Sequence, residues 1–208
     1  MKAIEVYADL RRFGKPVFST EDVAQRLRAK TPAVSRMLHR LVQAGLLTAI
    51  RRGLFCIDQT IDPLALPEAL TAPFPAYVSL QSALHLHGMI EQIPRVIYVV
   101  SLARTQRIRT TIGTYSIHHV SPEFFGGYNT VKEGIRLATP EKALVDVLYL
   151  SPARSRLFAA LPELELPPTF RRKDAEGWTV KLPAARRTMV ERKLDKILAS
   201  ANRGHHRR

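Results

Sequence analysis

The stretch of sequence that decides the fold spans residues 19–57 and reads STEDVAQRLRAKTPAVSRMLHRLVQAGLLTAIRRGLFCI. Ser19 has the side chain of a helix N-cap, and Asp22 follows at the spacing of a capping box. Gly45 stands where a second, longer helix would end. The two apolar segments after it flank Arg51-Arg52-Gly53, which indicates a hairpin with a basic tip. The stretch therefore predicts a short helix, a tight turn, a longer helix and a hairpin.

A further helix at the start of the chain completes this unit, and the longer helix is amphipathic. Apolar residues recur at helical spacing over residues 2–13, which predicts a first helix there. Thr31 is predicted to cap the longer helix over residues 32–44, whose apolar and polar side chains lie on opposite faces. The apolar face holds Val34, Met37, Leu38, Leu41 and Val42. In this order the elements are those of a winged helix-turn-helix domain, which we assign to residues 1–60.

A winged helix-turn-helix domain inserts its third helix into the major groove of double-stranded DNA. Arg36 and Arg40 carry the planar fork that pairs with guanine O6 and N7, whereas Arg51 and Arg52 would meet the backbone or minor groove from the hairpin. The first N–H groups of the helix suit a phosphate. The predicted DNA contacts are Lys30, Thr31, Ser35, Arg36, His39, Arg40, Gln43, Arg51 and Arg52. The same pattern also fits a three-helix module for protein contacts whose arginines are only solvated.

The distribution of charge favours a polyanionic partner. The 208 residues include 32 Lys+Arg and 18 Asp+Glu, a net charge of +14. Residues 1–60 carry +6 and residues 151–208 carry +8, around a neutral segment from 61 to 150. Arginine supplies 23 of the 32 basic residues, and its fork binds phosphates and guanine edges better than lysine does. A GC-rich genome would also raise the arginine content, but it would not explain the segregation.

Composition excludes several classes of protein. The longest apolar stretches, such as residues 96–100, are of strand length and far short of the roughly 18 residues that a membrane span needs. The N-terminus has acids within its first ten residues and no signal-peptide core. Cys56 is the single cysteine, so neither a disulfide framework nor a cysteine-rich zinc module is expected. We therefore expect a cytoplasmic protein that does not bind membranes.

The rest of the chain predicts a second domain. Residues 61–76 are rich in proline and are interpreted as a connector. Residues 77–208 are expected to form an α+β domain with a basic helical extension at the C-terminal end. Its predicted elements are a helix capped by Ser79, a strand over residues 95–101, hairpins over residues 108–120 and 128–138, and a helix capped by Thr139. The fold class is therefore α+β, a winged helix-turn-helix domain followed by a mixed α/β-sheet domain.

Three blocks of the second domain resemble conserved blocks of the AbiEi-type antitoxins, which belong to type IV toxin–antitoxin and phage abortive-infection systems. They are YVSLQSALHLHGMIEQIPRVIYVVS (residues 77–101), GTYSIHHVSPEFFGG (residues 113–127) and IRLATPEKALVDVLYL (residues 135–150). The hairpin sequence RGLF resembles the RG-aliphatic-Tyr of the family, so the resemblance covers roughly residues 1–150. It implies an autorepressor that binds an operator of inverted repeats, and a downstream domain that carries antitoxicity. It also implies a nucleotidyltransferase-like toxin that is not held in a stable complex.

Groups that could suggest catalysis or metal binding are scattered in the second domain. Four of its histidines lie in or beside predicted helices and strands: His85, His87, His118 and His119. The first two point about 200° apart around a helix and the other two alternate across a strand, so structural roles are expected. Glu141 and Asp146 point about 140° apart on their helix, which favours a cap and a surface acid. We expect no catalytic residue, no metal ion and no cofactor.

Two other functions stay open at this stage. The chain could be an enzyme on nucleic acid, with the winged helix delivering a catalytic α+β domain. That function needs clustered acids or a metal site, and the sequence does not present either. The chain could also be a regulator whose second domain senses a small ligand.

The last third of the chain is basic and partly helical. A short helix is predicted over residues 152–161, and residues 162–168 are interpreted as a spacer. Residues 184–200 alternate apolar and charged groups at helical spacing, which predicts an amphipathic helix. The basic residues here could form a second phosphate-contacting surface: Arg171, Arg172, Lys173, Arg186, Arg187 and Arg192. The alternative is a solvated helix that packs on its own domain.

Overall fold

The computed structural model describes residues 3–12, 14–57, 61–150 and 164–204. The helices are α1 (Ala3–Arg12), α2 (Thr20–Leu27), α3 (Thr31–Gln43), α4 (Pro67–Thr71), α5 (Leu80–Leu86), α6 (Pro140–Leu150), α7 (Arg172–Thr179) and α8 (Ala184–Gly204). The strands are β1 (Val17–Ser19), β2 (Thr48–Arg51), β3 (Leu54–Cys56), β4 (Ala76–Val78), β5 (Ile97–Ser101), β6 (Gln106–Arg109), β7 (Thr114–His119), β8 (Tyr128–Thr130) and β9 (Arg136–Ala138). The α+β fold class is confirmed.

Helices α1–α3 and a three-stranded sheet form the winged helix at the start of the chain. The sheet has the order β1-β3-β2, and both pairs are antiparallel. The apolar faces of the three helices and one face of the sheet share a core: Val6, Leu10, Phe18, Val23, Ala24, Val34, Leu38, Leu41, Leu47 and Phe55. Strand β1 was not predicted, because three residues are too few to show an alternating pattern.

The start of α3 differs by one residue from the prediction. Lys30 has extended backbone angles and is the N-cap, so Thr31 already lies inside the helix. The Lys30 carbonyl accepts from the N–H groups of Ala33 and Val34, and no side chain caps the helix. The prediction that Thr31 is the cap was therefore wrong, and Thr31 is an exposed residue of the first turn.

A six-stranded mixed sheet is the centre of the second part of the molecule. Its order is β6-β7-β5-β4-β9-β8. The pairs β5–β7 and β4–β9 are parallel, whereas β6–β7, β8–β9 and the central pair β4–β5 are antiparallel. Both predicted hairpins are therefore present. The strands of the first begin one or two residues earlier than predicted, and those of the second are one residue shorter. Along each strand successive side chains point to opposite faces, so the sheet presents two faces for packing.

Four helices cover one face of this sheet. Tyr77 of β4 and Val100 of β5 point into a core shared with α5, α6, α7 and α8. From α8, the residues Val190, Leu194 and Leu198 enter that core, which confirms the predicted amphipathic helix. The short helix predicted over residues 152–161 lies outside the described residues. Of the predicted spacer, residues 164–168 have no helix or strand.

The other face of the sheet packs against the winged helix. Ile50, Leu54 and Cys56 of the wing strands share a core with Val99, Ile108, Tyr115 and Ile117 of the large sheet. Leu66 and Leu70, from the segment predicted as a connector, are buried in the same core. The Thr111 N–H also donates to the Ile50 carbonyl at 3.0 Å, and the Thr111 hydroxyl donates to the Ala49 carbonyl at 2.8 Å. The wing is therefore attached to the large sheet by apolar packing and by hydrogen bonds.

Candidate nucleic-acid interface

The outer face of α3 carries the candidate base contacts. Arg36, His39, Arg40 and Gln43 are all exposed, while Val34, Leu38 and Leu41 anchor the opposite face in the core. At about 100° per residue the four exposed side chains fall within one sector of about 100°. The helix sequence TPAVSRMLHRLVQ contains no carboxylate. The face is therefore cationic and open along about two turns.

The wing lies beside this helix and is held in place at its tip. Arg51 ends β2 and Arg52 occupies the turn, and both are exposed. Gly53 has a φ of +78°, a left-handed conformation that glycine adopts without steric penalty. Its carbonyl accepts a hydrogen bond of 2.9 Å from the Thr20 N–H at the start of α2. The basic tip is thus fixed relative to the helix-turn-helix.

A capping box fixes the entry to α2, as predicted. The Asp22 N–H donates to the Ser19 hydroxyl at 3.0 Å, and the Ser19 N–H donates to the Asp22 carboxylate at 2.8 Å. Partial burial raises the pKa of Asp22, but the hydrogen bonds from Ser19 and the nearby Lys15 outweigh it, so the pKa lies below its usual value. The turn from α2 to α3 passes through Arg28, whose φ of +49° reverses the chain.

The structure places all nine predicted DNA contacts on one domain. Eight of them are exposed, and Ser35 is half-buried. The His39 ring meets the Phe55 ring edge-on, with 6.4 Å between their centroids, so it spans the junction between α3 and the wing. Among the described residues, no ion pair joins Arg36, Arg40, Arg51 or Arg52 to a carboxylate. Their charge is available to an external anion.

The candidate second basic surface differs from the α3 face, because some of its arginines already have partners within the chain. Arg172 pairs with Glu176 at 2.5 Å and with Asp195 at 2.8 Å, which ties α7 to α8. The Arg186 guanidinium donates to the Tyr149 carbonyl at 3.3 Å, and that of Arg187 donates to the carbonyls of Val180 and Leu182. Three of the six predicted residues therefore bind neighbouring parts of the chain. The others, Arg171, Lys173 and Arg192, are exposed.

The four histidines that were considered as metal ligands make separate contacts. One ring nitrogen of His85 lies 3.3 Å from the Ile90 carbonyl, and one of His87 lies 2.7 Å from the Ala138 carbonyl. His118 lies 3.0 Å from the Ser116 hydroxyl, and burial lowers its pKa. His119 lies 3.1 Å from the Leu102 carbonyl. Within the described ranges, no group of three His, Cys, Asp or Glu side chains could hold a metal ion.

The structure corrects the prediction for two charged residues of α6. The prediction that Asp146 is a surface acid was wrong, because Asp146 and Lys142 are both completely buried and form an ion pair. The other carboxylate oxygen of Asp146 accepts from the Ser79 hydroxyl at 2.6 Å and from the Tyr77 hydroxyl at 3.1 Å. Ser79 precedes α5 as predicted, but its hydroxyl binds Asp146 instead of capping the helix.

Aromatic rings close this buried cluster. The Lys142 ammonium lies 3.7 Å from the centroid of the Phe124 ring and 4.9 Å from that of Trp178. Burial lowers the pKa of Lys142 and raises that of Asp146, while the ion pair opposes both shifts. Since both side chains have no exposed surface, the cluster supports the fold and does not form an open site.

Glu141 also has a structural partner. Its carboxylate accepts a hydrogen bond of 2.9 Å from the Arg171 N–H, at the residue that precedes α7. Glu141 is buried, so the predicted cap is joined to the C-terminal helices instead of facing solvent. The sequence signal for the missed ion pair was the spacing of Lys142 and Asp146, four residues apart on a helix that is mostly apolar.

Comparison with known proteins supports a regulatory role for the winged helix. Residues 5–57, about a quarter of the chain, match the family model described as "Transcriptional regulator, AbiEi antitoxin". The resemblance to the AbiEi-type antitoxins is thereby confirmed over the segment that holds α1–α3 and the wing. The matched family is one of transcriptional regulators and antitoxins, not of enzymes.

No curated protein matches the chain. None of the described helices combines the length with the apolar composition that a membrane span requires.

Proposed function

We propose that this chain is a sequence-specific DNA-binding autorepressor and the antitoxin of a type IV toxin–antitoxin system. The observation that carries the proposal is the open cationic face of α3 beside the wing, within the same residues that match the antitoxin regulator family. An autorepressor of this kind would bind inverted repeats in its own promoter. Two half-sites one helical turn apart would accept two copies of the domain.

The two parts of the interface have different chemistry. Arg36 and Arg40 stand one turn apart on α3, where each guanidinium can reach the O6 and N7 of a guanine in the major groove. Arg51 and Arg52 at the wing tip would bind phosphates, because a turn that crosses the backbone meets phosphate oxygens before base edges. Lys30 and Thr31 lie at the N-terminus of α3, whose free N–H groups add attraction for a phosphate.

A promoter fusion tests the autorepressor proposal. The promoter of the chain's own gene is joined to a reporter, and the chain is supplied from a second plasmid. Repression is expected with the wild-type chain and with Arg11→Ala, an exposed arginine of α1. It should fall strongly with the Arg36→Ala/Arg40→Ala double variant. Equal repression by the wild type and this double variant would contradict the proposal.

The antitoxin part rests on the family match and needs a separate experiment. Co-expression of the chain with a nucleotidyltransferase-like toxin encoded beside its gene should restore growth. Residues 76–208 without the winged helix are the segment expected to protect. A toxin that stops growth in the presence of the full chain would contradict antitoxicity, and a toxin that co-purifies tightly would contradict the type IV mechanism.

A further inference from the structure

The backbone of the wing is held by a residue of the second domain. Strand β2 lies at an edge of the three-stranded sheet, next to β3. The turn between β6 and β7 of the large sheet, residues 110–113, contacts this edge strand through Thr111. The Thr111 N–H donates to the Ile50 carbonyl at 3.0 Å, and its hydroxyl donates to the Ala49 carbonyl at 2.8 Å. The proposed DNA contacts do not include this threonine.

The two hydrogen bonds act at an irregular point of β2. The register of β2 against β3 shifts between Ala49 and Arg51, so Ile50 is an extra residue in the ladder, a β-bulge. A bulge bends its strand and leaves the extra residue without a partner in the ladder. Here the Ile50 side chain is completely buried in the core shared with the large sheet, and its carbonyl accepts from Thr111. The second domain therefore fixes the bend that directly precedes Arg51.

The turn that presents Thr111 is closed by its own hydrogen bonds. The Thr110 N–H and hydroxyl both donate to the Gly113 carbonyl, at 2.9 Å and 2.8 Å. The Thr110 hydroxyl also accepts from the N–H groups of Ile112 at 3.2 Å and Gly113 at 3.0 Å. The shape of the turn is thus set by residues other than Thr111, whose hydroxyl binds the wing instead.

Arg51 and Arg52 stand between two anchors of the wing backbone. On one side the Gly53 carbonyl accepts from the Thr20 N–H, a bond within the winged helix. On the other side the bulge is bound by Thr111 of the second domain. Both arginines are exposed between these anchors. A basic side chain on a backbone that is already oriented loses less freedom when it binds a phosphate, and this strengthens binding.

We propose that Thr111 is a positioning residue for the wing. By holding the bulge, it orients Arg51 and Arg52 toward DNA phosphates and makes the affinity for DNA depend on the second domain. The inference rests on the proposed function, since it requires that the winged helix binds DNA. Phosphate contacts carry no sequence information, so loss of this support weakens binding to any duplex and leaves the preference for the operator unchanged.

The binding of the full chain to operator and scrambled duplexes tests the role of the hydroxyl. Thr111→Val keeps the N–H and the size of the side chain but removes the hydroxyl, and should bind both duplexes about two- to tenfold more weakly. Thr111→Ala should give a similar loss, whereas Thr111→Ser keeps the hydroxyl and should bind nearly as well as the wild type. The control is Thr105→Val at the other end of β6, where the lost hydroxyl accepts from the His119 N–H. It should bind as the wild type does.

A double-variant cycle separates positioning from a general loss of structure. If Thr111 acts through the wing arginines, Thr111→Val should weaken binding in the wild-type chain and have almost no effect in an Arg51→Ala/Arg52→Ala chain. The same fold-loss in both chains would overturn the inference. Wild-type affinity of Thr111→Val, or a loss in Thr111→Ser as large as in Thr111→Val, would also overturn it. Failure of the wild-type chain to bind any duplex would instead overturn the proposed function.

Discussion

Helices α3 and α6 place their charged residues in opposite environments. α3 holds Arg36 and Arg40 on its outer face with no carboxylate in the helix, so their charge is free for a ligand. α6 holds Lys142 and Asp146 in the core, where the two charges bind each other and two hydroxyl groups. The burial of a charged side chain, and not its residue type, therefore decides whether the charge is open to a ligand or supports the fold.

The energetic consequences of removing a charge differ in the same way. A buried ion pair gains little net stability over apolar side chains, but the loss of one partner leaves the other charge buried without compensation. An exposed arginine is solvated, and its removal changes the folded state very little. Variants in the two helices should therefore affect different measurements: unfolding for α6, and DNA binding for α3.

The largest expected effect is on stability. Asp146→Ala leaves the Lys142 ammonium buried without its carboxylate and removes the acceptor for the hydroxyls of Tyr77 and Ser79. We expect the free energy of unfolding to fall by about 3–5 kcal/mol, measured by urea unfolding at pH 7. The matched α3 variant, Arg36→Ala, should unfold at the same urea concentration as the wild type.

A double variant shows whether uncompensated charge is the cause. Lys142→Met/Asp146→Leu removes both charges and fills similar volume, so it should be more stable than Asp146→Ala. If the double variant loses as much stability as the single one, the cluster acts through packing alone. The contrast between the two helices would then be wrong.

The next largest effect is expected at Gly127, which lies against Trp178 and Lys142 of the buried cluster. Gly127 has a φ of +72°, and a Cβ there would lie 2.6 Å from Cζ2 of Trp178 and 2.9 Å from Cγ of Lys142. Gly127→Ala should lower the free energy of unfolding by about 1–3 kcal/mol more than Gly134→Ala. Gly134 has a similar φ of +78° and open space around it, so it isolates the cost of backbone conformation. Equal losses in thermal unfolding would show that Trp178 does not press on this position.

A smaller effect is expected at the capping box of the winged helix. Asp22→Ala should destabilise the chain by about 1 kcal/mol at neutral pH. Because the pKa of Asp22 is lower in the folded state, its contribution is present above the unfolded pKa of about 3.9 and is lost as the pH falls through the folded value. The difference between the variant and the wild type in urea unfolding should therefore begin to shrink as the pH falls below about 4. A constant difference down to pH 2 would contradict this role.

The winged helix could be predicted from the sequence because its signals are local. The capping box at Ser19, the glycine after α3 and the arginines of the turn each fix one element, and all of these agree with the structure. Strand β1 and the true N-cap of α3 were not predicted, because a three-residue strand and a shift by one residue leave almost no pattern in the sequence. The exposed face of α3 followed directly from helical periodicity.

The parts that could not be predicted depend on contacts between distant segments. Asp146 looked like a surface acid, because its angle around α6 says nothing about Tyr77 and Ser79, which reach it from almost 70 residues away. The packing of Ile50, Leu54 and Cys56 on the large sheet was hidden in the same way.

The central claim, that α3 recognises bases, is tested most directly by the binding of Arg36→Ala and Arg40→Ala to operator and scrambled duplexes. If the guanidinium groups bind guanine edges, each variant should lose about 1–3 kcal/mol on the operator and much less on the scrambled duplex. Arg51→Ala and Arg52→Ala should weaken both duplexes about equally and reduce the salt slope by about one per lost contact. Equal losses on both duplexes for Arg36→Ala and Arg40→Ala would contradict the claim.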